Sequence, residues 1–281
     1  MLTVQTIDEL KHIIEVNRGK SIGFVPTMGY LHEGHQALLN KARRENDFVI
    51  ASIFVNPAQF GPNEDLDRYP RDIERDMKIA IEAGVDVLFT PTPEEMYPFE
   101  SGISIQVGEL SRQLCGESRP GHFDGVLKVI TKLFNLVQPT KAYFGQKDAQ
   151  QLAIIETFVN AYNFPVEIVR VPTVREADGL AKSSRNVFLS EQERQEAIHL
   201  YKALNVATDL WKETKDVNEA IKKGKTHLNE HTSGKIDYFK ALTYPDLQPV
   251  SKQTNSVLFA TAVFFEKARL IDNILVEVEE V

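Results

Sequence analysis

Apolar and polar positions along the chain fall into blocks whose period switches between helical and extended. Thr6 followed by Glu9 is a capping-box pattern and predicts a helix running to about Arg18-Gly19. Ser21 to Val25 reads as a short strand stopped by Pro26. From Glu33 a second helix is predicted, with Ala37, Leu38 and Ala42 on one face. Phe48 to Val55 is a continuous apolar run, the pattern of a strand buried on both sides. A loop punctuated by Pro and Gly leads to a helix from about Asp72 to Ala83, ended by Gly84, and then to a strand at Val85 to Phe89. A helix at Val126 to Leu136, a strand at Ala142 to Phe144, a helix at Ala149 to Ala161 and a strand at Val166 to Val171 continue the alternation.

Strands separated by helical stretches of about 10–15 residues predict βαβ units and a parallel sheet. From about Ala177 the texture changes. Two helical patterns, within 190–213 and 215–231, precede strands at Asp237 to Thr243, Val257 to Phe264 and Ile271 to Val278, which read as antiparallel neighbours. The fold class is therefore α/β, with a Rossmann-like parallel-sheet domain at 1–175 and a smaller α+β domain at 176–281. No Ser/Gly linker separates them, so close packing is expected. Two common nucleotide signatures are missing. No G-x-G-x-x-G follows a strand. Gly19-Lys20-Ser21 resembles the end of a P-loop, but Ile14 stands where its first glycine belongs, so the segment reads as a turn.

Composition narrows the partners. The 281 residues carry 32 basic and 40 acidic side chains, a formal charge of −8. A general nucleic-acid binder shows a basic footprint instead, although a local pocket can still be positive on an acidic chain. The single cysteine, Cys115, excludes an internal disulfide or a multi-cysteine metal site. The longest apolar run, Val257 to Phe265, falls far short of the ~18 residues of a membrane helix. The N-terminal residues show no signal-peptide core. The expectation is a soluble, cytoplasmic protein.

The candidate chemistry begins at Pro26-Thr27-Met28-Gly29-Tyr30-Leu31-His32-Glu33-Gly34-His35. This loop follows a parallel strand and opens a helix, where such sheets bind ligands. The N–H groups of a helix start favour phosphate. His32 and His35, three apart, share one helical face, and the positive helix end disfavours imidazolium. The alternative is a pair of surface or capping histidines. A zinc pair lacks a placed third ligand. Lys147, in Gly145-Gln146-Lys147-Asp148 after a short strand, is a second candidate, and Asp148 there also suits a helix N-cap. Lys147, Ser183, Ser184 and Arg185 are all phosphate donors by type. Gln59, Gln151 and Asn56 offer neutral donors and acceptors, or, equally, exposed amides and a turn residue. His12, His199, His227 and His231 sit in charged helical surroundings and read as surface residues.

These motifs occur together and in order. Besides the His-x-Gly-His string there are Val55-Asn56-Pro57-Ala58-Gln59-Phe60, Tyr69-Pro70-Arg71, Arg119 to Val126, Phe144 to Asp148, Gln151 and Lys182 to Asn186. From about 26 to 190 the chain resembles the pantoate–β-alanine ligase (pantothenate synthetase) family of the His-x-Gly-His adenylyl-transferring superfamily. The last hundred residues carry no comparable motif. The resemblance implies ATP as co-substrate with Mg2+, a pantoyl-adenylate intermediate, release of AMP and pyrophosphate, and a homodimer. It implies that His35 is the proton-donating or transition-state-stabilising histidine, with His32, Lys147, Ser183, Ser184 and Arg185 on the phosphates. Met28, Gly29 and Gln146 lie against the nucleotide, the Gly145 backbone and the Asp148 carboxylate take the ribose hydroxyls, and Val174 and Lys182 meet adenine through the main chain. The family often has an apolar residue at position 182. Gln59 and Gln151 hold pantoate, Gln59 also touching β-alanine, with Asn56 beside them. Tyr69, Arg119 and His122 are near the site or structural. No protein ligand for the metal is assigned. The second reading is a nucleotidylyltransferase of the same superfamily that stops at an adenylated product; a third is a dead nucleotide sensor, which would have lost charged site residues.

Overall fold

The structure, a computed structural model, describes residues 1–62, 64–251 and 254–277. The chain forms two compact units. One comprises Met1–Val107, Arg119–Gln146 and Ile154–Pro172; the other comprises Gly108–Ser118, Lys147–Ala153 and Thr173–Val281. Two short segments within 1–175 thus group with the C-terminal residues. Gln150 explains part of this: its carbonyl accepts from the Cys115 N–H, and its amide donates to the carbonyls of Leu110 and Gln113.

The first unit is built on six parallel strands: β1 (Leu2–Val4), β2 (Ile22–Thr27), β3 (Phe48–Ile53), β4 (Val87–Phe89), β5 (Lys141–Gly145) and β6 (Glu167–Val171). Their order is β1-β4-β3-β2-β5-β6. The helices between them include α1 (Ile7–Val16), α2 (Glu33–Glu45), α3 (Ile73–Glu82), the short α4 (Pro93–Met96) and α6 (His122–Val137), while α5 (Leu114–Ser118) belongs to the second unit. α1 starts at a true capping box, with Thr6 and Glu9 exchanging hydrogen bonds. One sheet face, with Val25, Val49, Ala51, Leu88, Tyr143 and Val171, packs under Leu38, Leu39 and Ala42 of α2 and Ala80 of α3. Phe24, Ile50, Phe89 and Phe144 point to the other face and are also buried. The ring of Phe134 from α6 meets Phe144 there at 6.5 Å. Cover on both faces is why these strands read as unbroken apolar runs.

Two expectations needed correction. β2 passes through Pro26 to Thr27 instead of stopping before it. β5 pairs with β2 only at Gly23 and Phe24, so the missing N–H of Pro26 deprives no β5 partner. β1 escaped notice because three residues at a sheet edge carry almost no periodicity.

In the second unit, α8 (Glu191–Thr214) and α9 (Val217–His231) pack on an antiparallel sheet, β7 (Lys235–Thr243), β8 (Ser256–Phe264) and β9 (Arg269–Glu277), in that order. Leu200, Leu204, Trp211, Leu228, Phe239 and Phe259 fill the space between. Each such side chain, fully buried, contributes on the order of 1.5–3 kcal/mol. The predicted strand end at Val278 lies outside the described residues. α7 (Ala149–Ala161) begins in the second unit and continues in the first.

Candidate active site

The order of the parallel strands reverses direction between β2 and β5, and open α/β sheets bind ligands at the carboxyl ends of strands beside such a switch. The His-rich loop leaves the end of β2, Gly145 and Gln146 lie at the end of β5, and Asn56 to Gln59 follow β3, the other neighbour of β2.

The loop after β2 is fixed by side chains that accept its backbone N–H groups. Gly29 has φ +83°, and a Cβ there would lie 2.8 Å from Ile53 Cγ2, so both conformation and space require glycine. Thr27 Oγ1 donates to the Ser52 carbonyl and accepts the Gly29 N–H at 3.1 Å. Asp76, from α3, accepts the N–H of Tyr30 at 2.7 Å and of Leu31 at 2.6 Å. It is 1 % exposed, and burial pushes its carboxyl above the usual value although both N–H groups and Arg75 pull it down. Sequence reading missed Asp76. Its signal is an acid on the apolar face of α3, three before Ile79 and four before Ala80.

His32 is the N-cap of α2 and His35 its third residue. Nδ1 of His32 accepts the Gly34 N–H at 3.1 Å, and Nδ1 of His35 accepts the His32 N–H at 3.3 Å. The rings lie 4.1 Å apart. A ring nitrogen that accepts carries no proton, so each neutral ring holds its proton on Nε2. The capping and phosphate-binding readings are therefore compatible: Nδ1 caps the helix, and Nε2–H is the donor of each ring.

Beside the loop, Asn56 is a buried hub, 1 % exposed. Its amide donates to Gln59 Oε1 and the Gly125 carbonyl, both at 3.0 Å; its carbonyl accepts from the Ala58 N–H and from Tyr97 Oη at 2.9 Å. Burial pushes the Tyr97 phenol up to about 12, so it remains a donor. Gln59 Nε2 in turn donates to Met28 Sδ at 3.2 Å, joining the loops after β2 and β3. α6 can approach this corner only because residue 125 is glycine: a Cβ would sit 2.1 Å from the Ala58 carbonyl oxygen. Arg119 grips Glu64 and donates to His122 Nε2, which leaves His122 Nδ1–H to donate to the Gln59 carbonyl at 2.8 Å. Arg119 and His122 thus brace Gln59. Tyr69 is buried with its ring edge-on to Phe60.

The remaining candidates belong to the second unit. Lys147, half-buried, follows β5, and its carbonyl accepts from Asn273 Nδ2 at 2.7 Å. Asp148 is exposed and Gln151 half-buried on α7 beside the fully enclosed Gln150. The Lys182 N–H donates to the Val174 carbonyl at 2.9 Å across a narrow turn, and Lys182 Nζ lies 3.9 Å from Glu176. The short 3-10 turn Ser184–Phe188 is capped by Ser183, whose Oγ accepts the Arg185 N–H at 3.3 Å; Ser184 is buried and Arg185 half-buried. This turn packs on β9. Asp272, on β9, is gripped by Arg175 at 2.6 and 2.9 Å. Burial pushes its carboxyl up, against the pull of Arg175, the Asn273 N–H and Lys147. Asn273 therefore anchors the Lys147 segment, and Asp272 holds Arg175, which bridges to Ala181 just before the Ser183–Arg185 turn; sequence reading missed both. Their signal is a polar pair inside an apolar strand.

Comparison with known proteins agrees with this architecture. Residues 2–275 match the family described as pantoate-beta-alanine ligase. Pantothenate synthetase from Lysinibacillus sphaericus (strain C3-41) is 59 % identical, over 93 % of this chain and 92 % of the relative. The one from Bacillus subtilis (strain 168) is 54 % identical over 100 % and 99 %. The crystal structure of pantothenate synthetase from Thermus thermophilus superposes with a TM-score of 0.93 at 49 % identity, covering 98 % of this chain and 99 % of that one. A pantoate-beta-alanine ligase from Francisella tularensis, complexed with beta-gamma ATP and beta-alanine, superposes with a TM-score of 0.81 at 36 % identity, covering 98 % and 97 %. The chain belongs to the pantoate-beta-alanine ligase family, and it is a ligase that joins pantoate to β-alanine.

Proposed function

We propose that the ligation runs through a pantoyl adenylate on the residues described above. The carboxylate of pantoate attacks the α-phosphorus of ATP, and pyrophosphate leaves. The amine of β-alanine then attacks the mixed-anhydride carbonyl, an amide forms with loss of a proton, and AMP leaves. Neither step needs a protein nucleophile. Both need charge to be met where it grows.

The observation that carries this reading is the paired cap of α2. It holds two Nε2–H donors at the positive end of a helix, in the same loop whose Met28 accepts the amide of Gln59. His35 and His32 then meet the α-phosphate and the leaving oxygen. Lys147, Ser183, Ser184 and Arg185 serve the other phosphate oxygens; Ser183, though its Oγ accepts a backbone N–H, keeps its own O–H to donate. Met28, Gly29 and Gln146 line the nucleotide, and the Gly145 backbone and the Asp148 carboxylate take the ribose hydroxyls. With the Lys182 N–H given to Val174, adenine is read by the Val174 N–H and the Lys182 carbonyl, a donor and an acceptor complementary to N1 and the 6-amino group. Gln59, Asn56 and Gln151 orient pantoate.

Functionally, 1–175 is the ATP- and pantoate-binding domain and 176–281 the smaller α+β domain. Magnesium enters as the counter-ion of ATP, held by phosphate oxygens. Among the described residues, no trio of metal-capable side chains includes a proposed site residue. The working form is a cytoplasmic homodimer without nucleic-acid or membrane partners. Family resemblance supports the dimer; the acidic charge, and described helices too short or polar to cross a membrane, support the rest.

The test is ATP–pyrophosphate exchange. Exchange that requires pantoate but not β-alanine, with AMP release requiring both, supports the adenylate route. AMP release without exchange would overturn it, and product formation indifferent to β-alanine would favour the nucleotidylyltransferase reading.

A further inference from the structure

Three histidines that read from the sequence as surface residues come together in the second unit, on elements with no part in the proposed reaction. His227 and His231 stand one turn apart on α9, and His199 lies on α8, which packs along it. Ring centroids are 5.1 Å apart for His199 and His227, 4.5 Å for His199 and His231, and 4.3 Å for His227 and His231. One ring nitrogen from each lies within 4.8 Å of the other two. His199 and His227 are half-buried and His231 is exposed.

Hydrogen bonds decide where the lone pairs are. The His227 carbonyl can only accept, so Nδ1 of His231, 2.9 Å away, carries a proton, and Nε2 of the neutral ring carries the lone pair. His199 Nδ1 and His227 Nε2 lie 3.0 Å apart and share one proton. A tetrahedral ion at about 2.0–2.1 Å from two imidazole nitrogens holds them about 3.3 Å apart, so it replaces that proton with little movement. Rotation of the stacked His231 ring then brings in the third nitrogen.

We propose that His199, His227 and His231 form a binding site for a divalent transition cation of the zinc class, clipping α8 to α9 with water in the fourth position. Three imidazoles suit Zn2+, Ni2+ or Cu2+, whereas Mg2+ and Ca2+ prefer oxygen. The clip stabilises the folded second unit by mass action and adds no step to the ligase reaction.

The test uses chelator-stripped, full-length protein without a polyhistidine tag. Zn2+ is titrated against a chromophoric chelator, and Co2+ serves as a spectroscopic probe. The site predicts one ion per chain, tetrahedral Co2+ absorption bands, and a zinc-dependent rise in unfolding temperature. His227→Gln, His199→Gln and His231→Gln each weaken binding by at least ~10-fold and abolish the thermal shift, whereas His12→Gln does neither. Because wild-type Co2+ bands report nitrogen ligation directly, a misfolded variant does not remove the test. Absence of stoichiometric zinc binding to wild-type protein, or equal affinity in a folded triple variant, would overturn the proposal.

Discussion

In the first unit Arg119 grips Glu64; in the second Arg175 grips Asp272. Both grips use two guanidinium nitrogens, at 2.8 and 2.5 Å in one and 2.6 and 2.9 Å in the other. The arginines are about equally exposed, 17 % and 18 %, but Glu64 is 22 % exposed and Asp272 only 2 %. Burial opposes ionisation of both acids. For Glu64, Arg119 outweighs it, with help from the Gly61 N–H and His122, and the carboxyl falls below its usual value. For Asp272, burial outweighs Arg175, and the carboxyl rises. The depth of the acid, more than the number of its hydrogen bonds, decides the sign. A shallow clamp stabilises when ionised, whereas a deep one positions its neighbours at an electrostatic cost.

The sharpest way to break that contrast is to remove each arginine. Arg175→Met strands a buried acid and is expected to cost about 3–5 kcal/mol, read from denaturant unfolding. Arg119→Met, leaving Glu64 partly solvated, is expected to cost about 1–2 kcal/mol. Equal losses would refute the argument from depth. Next comes His35, whose proposed role predicts an effect on rate. His35→Ala should slow pantoate-dependent pyrophosphate exchange by about 10²–10³-fold while leaving ATP affinity nearly unchanged; a matching loss of ATP binding would contradict its transition-state role. Gly125→Ala drives a methyl into the Ala58 carbonyl, and the forced backbone shift should cost about 1–3 kcal/mol and weaken pantoate binding. Asn273→Ala removes the donor to the Lys147 carbonyl and should raise the KM for ATP by up to ~10-fold with little change in the KM for pantoate.

The smallest effect is a difference in pH slope. Glu64, lowered in the folded state, contributes stability that is present above its unfolded value of 4.5 and lost as pH falls through the folded value. Asp272, raised in the folded state, contributes stability that is full below 3.8 and lost as pH rises through the folded value. The stability gap between wild type and Glu64→Gln should therefore narrow toward acid, and the gap to Asp272→Asn should widen. Parallel slopes would mean that the two acids sit in equivalent electrostatic surroundings.

Features that depend on neighbours in sequence were legible. Thr6 with Glu9, Asp72 and Ser190 all cap the helices whose starts they mark. The apolar run at Phe48 announced a strand covered on both faces. Features made by distant partners were not legible. Nothing local shows that Pro26 lies beyond the last pair between β2 and β5, or that Asp76 binds a loop 45 residues before it. The site divides in the same way. The His32–His35 spacing indicated a helix start and a ligand loop together, but only the fold shows that both rings serve as caps. Lys147 and Arg185 belong to short motifs that stand out by themselves. Asp272 and Asn273, which hold their surroundings, have only a strand of apolar neighbours to mark them.

The reciprocal cap at the start of α2 also has a thermodynamic consequence. Immobilising a rotamer-rich side chain on ligand binding costs roughly 0.5–1.5 kcal/mol. His32 and His35 lose that freedom when the helix forms, long before ATP arrives, because each Nδ1 is committed to a backbone N–H. Their ordering entropy is therefore charged to folding, and on the adenylate route proposed above the two donors would be preorganised for the nucleotide. Neither ring can change tautomer without uncapping the helix, so the two act as fixed dipoles whose orientation lasts as long as the fold does.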